Sequence, residues 1–164
     1  MECEPNARSK WSLGARLILL LALFWAAAIF ATSCYVIRPE EFFRRIQEFL
    51  NLDAEAMYEF RVFWGIWWFT IVKGWHFTEF AVLTWLVSWA LQAIGWLSTR
   101  HAINAAMIVC ILYAAGDEWH QTFVPDRHGT VTDVLIDSLG VFFAGGVLGW
   151  RASRRTKAPA VEAT

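Results

Sequence analysis

Asp117, Glu118, Trp119, His120 and Gln121 close an apolar run that begins near Ile103, and Asp133 and Asp137 open the next one. Upstream, Lys73, His76 and Glu79 interrupt a third apolar run. An ionised side chain at the centre of a bilayer costs roughly 2.5–3.5 kcal/mol on insertion scales, so such groups are kept where they pair or act. Histidine beside a carboxylate can move protons, and the same residue types can ligate a divalent metal. Lysine and arginine instead attract anionic groups through charge-assisted hydrogen bonds. Which chemistry applies depends on the elements that carry these side chains.

Those elements read as membrane helices. Of the 164 residues 57% are hydrophobic, above the 45–50% or so of a soluble domain, and mean hydropathy is +0.40. The length suits one domain over residues 1–164, and a net charge of −1 offers no broad basic surface, which excludes nucleic-acid binding. Cys3, Cys34 and Cys110 form no CxxC pair and have no histidine at zinc-finger spacing, so neither a disulfide framework nor a metal site is signalled.

Leu17 to Ile37 carries no charge over 21 residues, close to the roughly 20 that cross a bilayer as a helix. A signal-type cleavage near Ala31-Thr32-Ser33-Cys34 is the alternative, and the continuation of the apolar stretch to Ile37 argues against it. A Trp-rich segment, Val62 to Val72, is expected to lie at the interface or to dip into the membrane, its Trp64, Trp67 and Trp68 joining Trp75 in an aromatic belt. Further spans are expected at 73–94, 103–123 and 131–150. Between the first two, Phe42, Phe43, Ile46, Phe49 and Leu50 recur at helical spacing opposite Glu40, Glu41, Arg44, Arg45 and Glu48, which predicts an amphipathic interfacial helix. The fold class is therefore all-α, an integral membrane bundle of four transmembrane helices with that interfacial helix between the first two.

Four crossings put both termini on one side. That side collects Arg8, Lys10, Arg16, Arg100, Arg151, Arg154, Arg155 and Lys157, against Arg38, Arg44, Arg45, Arg61 and Arg127 on the other, so cytoplasmic termini follow in a multi-pass protein of the cell membrane. The first dozen residues and the polar tail from Ala152 to Thr164 are expected to be disordered, with the tail's cations drawn to anionic lipid. Arg100 and His101 read as interfacial anchors.

This topology gathers the polar residues at the outer end. Lys73, His76, Glu79 and Phe80 share an arc of about 120° on one helix, and Asp133, Asp137, Gly140 and Ala144 share about 60° on another. On the span between them, Asp117, His120 and Gln121 lie on the face of Tyr113, while Glu118, about 100° away from Asp117, turns to a different groove. Gly140 with Ala144, and Gly145 with Gly149, have the small-xxx-small spacing that lets helices approach closely.

Glu118-x-x-Gln121, then Phe123, Pro125 and Arg127, then Asp133 and Gly140, together with Lys73-x-x-His76-x-x-x-Phe80-x-x-Leu83, are similar to the signatures of the VanZ-like membrane proteins. The resemblance covers Lys73 to Trp150, with Asp137 where that family commonly has Asn and Asp126 where a Gly often precedes the Arg. It implies a small multi-pass envelope protein whose namesake lowers susceptibility to the glycopeptide teicoplanin. It supplies no reaction and no cofactor.

Four functions are compatible with the residues. In the first, Lys73, Arg127 and His128 attract an anionic lipid or a lipid-linked wall precursor, while Glu79, Asp117, Glu118, His120, Gln121, Asp133 and Asp137 with His76 line a polar pocket. In the second, an intramembrane enzyme uses His120 or His76 with a carboxylate, or with a metal held by such residues; the chain has no H-E-x-x-H, no G-x-S-x-G and no phosphate loop. In the third, Lys73 and Arg127 only neutralise Glu118 and Asp133 to fix helix register. A proton-coupled transporter is weaker, because four spans without an internal repeat do not readily give alternating access.

Overall fold

The computed structural model describes residues 12–36 and 38–157. Cys3, Arg8, Lys10, Ile37 and the chain after Lys157 lie outside the described residues. Five helices follow in order: α1 (Leu13–Ser33), α2 (Pro39–Leu50), α3 (Ala54–Ile94), α4 (Thr99–Gln121) and α5 (Val131–Lys157). Four of them, all but α2, are long and apolar enough to cross a membrane. The chain is thus an all-helical, multi-pass membrane bundle.

Local chemistry sets the ends. Ser12, Asp53 and Ser98 cap α1, α3 and α4 by accepting the amide N–H groups of Ala15, Ala56 and His101. Pro39 opens α2, and Asn51 ends it in the left-handed region. On α2, Arg45 grips Glu41 one turn back and holds its carboxyl below the usual range. That contribution is present at neutral pH and is lost as pH falls through the lowered value. Rings on α2 meet α3: Phe42 lies 4.6 Å from Trp64, and Arg61 covers Phe43.

One boundary expected from the sequence is absent. Val62–Val72 is not a separate segment, because α3 runs unbroken through it and through Lys73, for 41 residues in all. No proline occurs between Ala54 and Ile94, and a mid-helix glycine such as Gly74 costs only about 1 kcal/mol, so nothing stops the helix before Gly95 turns left-handed at φ 80°. At 1.5 Å per residue α3 is about 61 Å long, twice the hydrocarbon thickness. Its second half is the central post of the bundle, touching α1, α4 and α5. A second correction concerns the tail: α5 continues as helix past Ala152 to Lys157.

Between membrane helices no hydrophobic force acts as it does in water, so close packing and hydrogen bonds hold the bundle. The contact surfaces are made of small residues accordingly. On α4, Ala102, Ala106, Cys110 and Ala114, all fully buried, form a stripe at four-residue spacing whose next member is Glu118. On α1, Ala15, Ala22 and Ile29 recur every seventh residue and lead to Ser33. On α5, Gly140 lies so close to α3 that an added Cβ would collide with the Phe77 carbonyl. Ile29, Phe80, Leu83, Cys110, Ala114 and Val141 form the apolar centre, so Cys110 is a packing residue. Indole and phenol groups tie α1 across: Trp25 Nε1 donates to the Glu79 carbonyl at 3.0 Å, and Tyr113 Oη to the Ala26 carbonyl at 2.7 Å.

Candidate functional site

The small-residue stripes deliver polar side chains to one end of the bundle. Lys73 on α3 pairs with Asp133 on α5, with the two side chains 21% and 16% exposed. One turn further in, His76 Nδ1 stands 3.5 Å from Oδ1 of Asp137, which is 1% exposed and has no hydrogen-bond partner there. These two rungs reproduce the helical spacing of Lys73 with His76 and of Asp133 with Asp137. Glu79, also buried, follows on the same face of α3.

On α4, the adjacent carboxylates face different helices. Asp117 accepts the Ser33 hydroxyl of α1 at 2.7 Å, and Glu118 accepts the Thr130 amide, just before α5, at 2.8 Å. Gln121 Nε2 bridges them, 3.0 Å from Asp117 and 3.2 Å from Glu118. Gly129 makes the Glu118 contact possible, since a Cβ there would run into the Glu118 carbonyl. Donors are scarce: Ser33 has one hydroxyl hydrogen and also lies 2.8 Å from the Phe30 carbonyl.

Among the described residues, Asp133 and Asp137 pair with Lys73 and His76, while Glu79, Asp117 and Glu118 enter no ion pair. Uncompensated charge in low dielectric is costly, so protons or a cationic group must balance the excess. Among the described residues no group of three or more His, Cys, Asp or Glu is arranged to hold a metal. His120 is not part of the network: its ring stacks near Phe30 at 4.7 Å, and its buried Nδ1 has no partner. Of the two histidines considered for acid–base work, His76 alone faces a carboxylate.

Arg127 comes to the same end by another route. Its guanidinium donates to the backbone carbonyls of Tyr35 at 2.9 Å and Thr32 at 3.4 Å, beside Ser33. The four ion pairs among the described residues do not include it, so its charge is held in place without a counter-ion. Asp126, just before it, sits at φ 63°, a left-handed conformation that glycine adopts freely.

A family model described as VanZ/LLP1 matches residues 17–151. The chain belongs to the VanZ/LLP1 family. No curated protein and no solved structure gives a significant match. The strained φ at Asp126 gives a physical reason for the glycine common there in VanZ-like proteins. In this VanZ/LLP1 member, Asp126→Gly is expected to be neutral or to stabilise by about 0.5 kcal/mol, the exposed Arg38 pair lost being worth little. Asp126→Val should cost about 1–2 kcal/mol. Thermal midpoints in detergent check the order, and equal midpoints for the two would refute the strain.

Ser33, Thr130 and the carbonyls of Thr32 and Tyr35 are site residues that the sequence reading did not select. For Ser33 a signal existed, since it stands one helical turn after Ile29 on the face marked by Ala15 and Ala22. Backbone donors and acceptors have no side-chain signal at all. Two openings on the molecule lie elsewhere: a depression of about 420 Å³ beside Trp75 on α3, and a cleft of about 770 Å³ between the start of α4 and the end of α5.

Proposed function

We propose that this envelope protein engages the anionic headgroup of a membrane lipid or of a lipid-linked wall precursor at the Arg127 end of the bundle. The observation that carries the reading is the Arg127 guanidinium, oriented by two carbonyls and matched by no carboxylate. Oriented cations bind phosphate with less ordering cost than free ones. His128, exposed beside it, adds a second donor at the mouth. Beneath them the carboxylate network fixes α1, α3, α4 and α5 against one another, so that the two rim residues stay in place. Lys73 serves that lower layer, because Asp133 already neutralises it.

A charge-assisted hydrogen bond contributes about 1.5–3 kcal/mol. Arg127→Gln should therefore weaken retention of one phosphatidylglycerol molecule by the detergent-purified chain at least about tenfold, with Arg127→Lys in between. Unchanged retention in a variant that melts like the parent would sink the proposal. Expressed in a teicoplanin-susceptible bacterium, the parent is expected to raise tolerance, and Arg127→Gln is not. The second reading, a network that only locks helix register, is favoured by the way Ser33, Asp117, Gln121, Glu118 and Thr130 satisfy one another. It expects lipid retention to be indifferent to Arg127.

A further inference from the structure

The cleft at the opposite end is separate from everything described so far. It opens between α4 and α5, lined by Arg100 and Asn104 at its mouth near the helix ends and by Met107 and Phe142 about two turns further along the helices, with Gly146 and Gly149 as the wall on α5. Its volume of about 770 Å³ falls within the range of small-molecule sites, roughly 300–1,000 Å³. The glycines make the space, since a Cβ built at Gly146 or at Gly149 meets no heavy atom within 4 Å.

Charge identifies the occupant. No Asp or Glu occurs between Glu79 and Asp117, or between Asp137 and Glu162, so both walls lack acidic residues. Arg100, exposed, enters none of the four ion pairs among the described residues. Arg151 and Arg154, one turn of α5 apart, lie over the rings of Trp85 and Trp150 and have no carboxylate partner among the described residues either. The positive end of the α4 dipole adds to the same field. Polarity changes along the cleft from cationic to apolar, and its apolar part ends at Phe142, which is 54% exposed. A free anion would use only the mouth, whereas an amphiphile uses both parts.

We infer that this cleft is a binding site for an anionic glycerophospholipid, with the phosphate at Arg100 and Asn104 and the first part of an acyl chain against Met107 and Phe142. Arg127 has no part in it. Native mass spectrometry of the full chain, released from detergent with phosphatidylglycerol or phosphatidylcholine, tests it.

The parent is expected to retain phosphatidylglycerol in preference to phosphatidylcholine. Gly149→Leu, whose Cβ meets no heavy atom within 4 Å and whose side chain would occupy the cleft, should lower the retained number by one molecule in both the parent and the Arg127→Gln background. That second background keeps the two sites distinguishable. Arg100→Gln, an exposed change that leaves the packing intact, should reduce the preference at least about fivefold. The inference is overturned if Gly149→Leu and Gly146→Leu retain as much lipid as the parent. It is also overturned if Arg100→Gln keeps the full preference, or if millimolar inorganic phosphate displaces the lipid from the parent as well as phosphatidylglycerol itself does.

Discussion

Gly140→Leu is expected to lower stability by about 3 kcal/mol or more, and Gly140→Ala by about 2 kcal/mol. In an isolated helix the alanine change would instead be favourable by about 1 kcal/mol. The sign reverses because the Phe77 carbonyl and the Ala81 amide of α3 occupy the place of the new Cβ. Backbone atoms inside a helix cannot step aside as a side-chain tip can. The only relief is for α5 to move away from α3, and Asp137 lies one turn before the contact. His76 would then be drawn from Asp137, and Lys73 from Asp133, so that lipid retention should fall with stability. Gly146→Ala, on the same helix with no heavy atom near its Cβ, should gain up to about 1 kcal/mol. Thermal unfolding of both alanine variants in one detergent reads the comparison. Equal midpoints would mean that α3 and α5 are not in backbone contact at Gly140.

The rungs between α3 and α5 were legible in the sequence because helical periodicity and the cost of burying charge act on side chains alone. Lys73 and His76, three residues apart, and Asp133 and Asp137, four apart, each had to share a face, and each had to find an opposite charge. The two directions of Asp117 and Glu118 follow equally from about 100° per residue. What the pattern could not contain is where a backbone passes. Thr130 reaches Glu118 through its amide, and Arg127 reaches α1 through carbonyls, so no residue type marks either contact.

The unbroken α3 was missed for a different reason. Comparing length with bilayer thickness suggests a boundary at Lys73, although the local chemistry between Ala54 and Ile94 contains no stop. Length is a constraint from the surroundings, whereas helix continuity is decided residue by residue through propensity and capping. Lys73 and His76 suggested an edge because they are polar. Their partners on α5 let them sit within the helix instead. The cleft beside Gly149 has no sequence signal either, since Gly145 with Gly149 reads as a packing motif and only the packing geometry leaves the Cβ position of Gly149 open.

Lys73→Met should cost about 3 kcal/mol, the lower end for breaking a buried pair. An exposed pair would be worth only about 0–1 kcal/mol. Burial decides between these values, and with side chains 21% and 16% exposed the pair is closer to the first case. Most of the loss comes from leaving the Asp133 carboxylate without a cation in a cluster already rich in carboxylates. Asp133→Asn added to Lys73→Met removes that charge and should restore more than half of the stability. Asp133→Asn alone should be the milder single change, because Lys73 has a flexible stem and can carry its ammonium toward water. A cycle of the four proteins, unfolded in the same detergent, measures the coupling directly. Coupling below about 0.5 kcal/mol would show a loose surface pair, and the account of α3 pinned to α5 would fail. Lipid retention by the double variant then separates two roles for Lys73. Parent-like retention leaves Arg127 as the headgroup's cation, whereas a well-folded double variant that loses lipid would move the recognition of the headgroup down to Lys73.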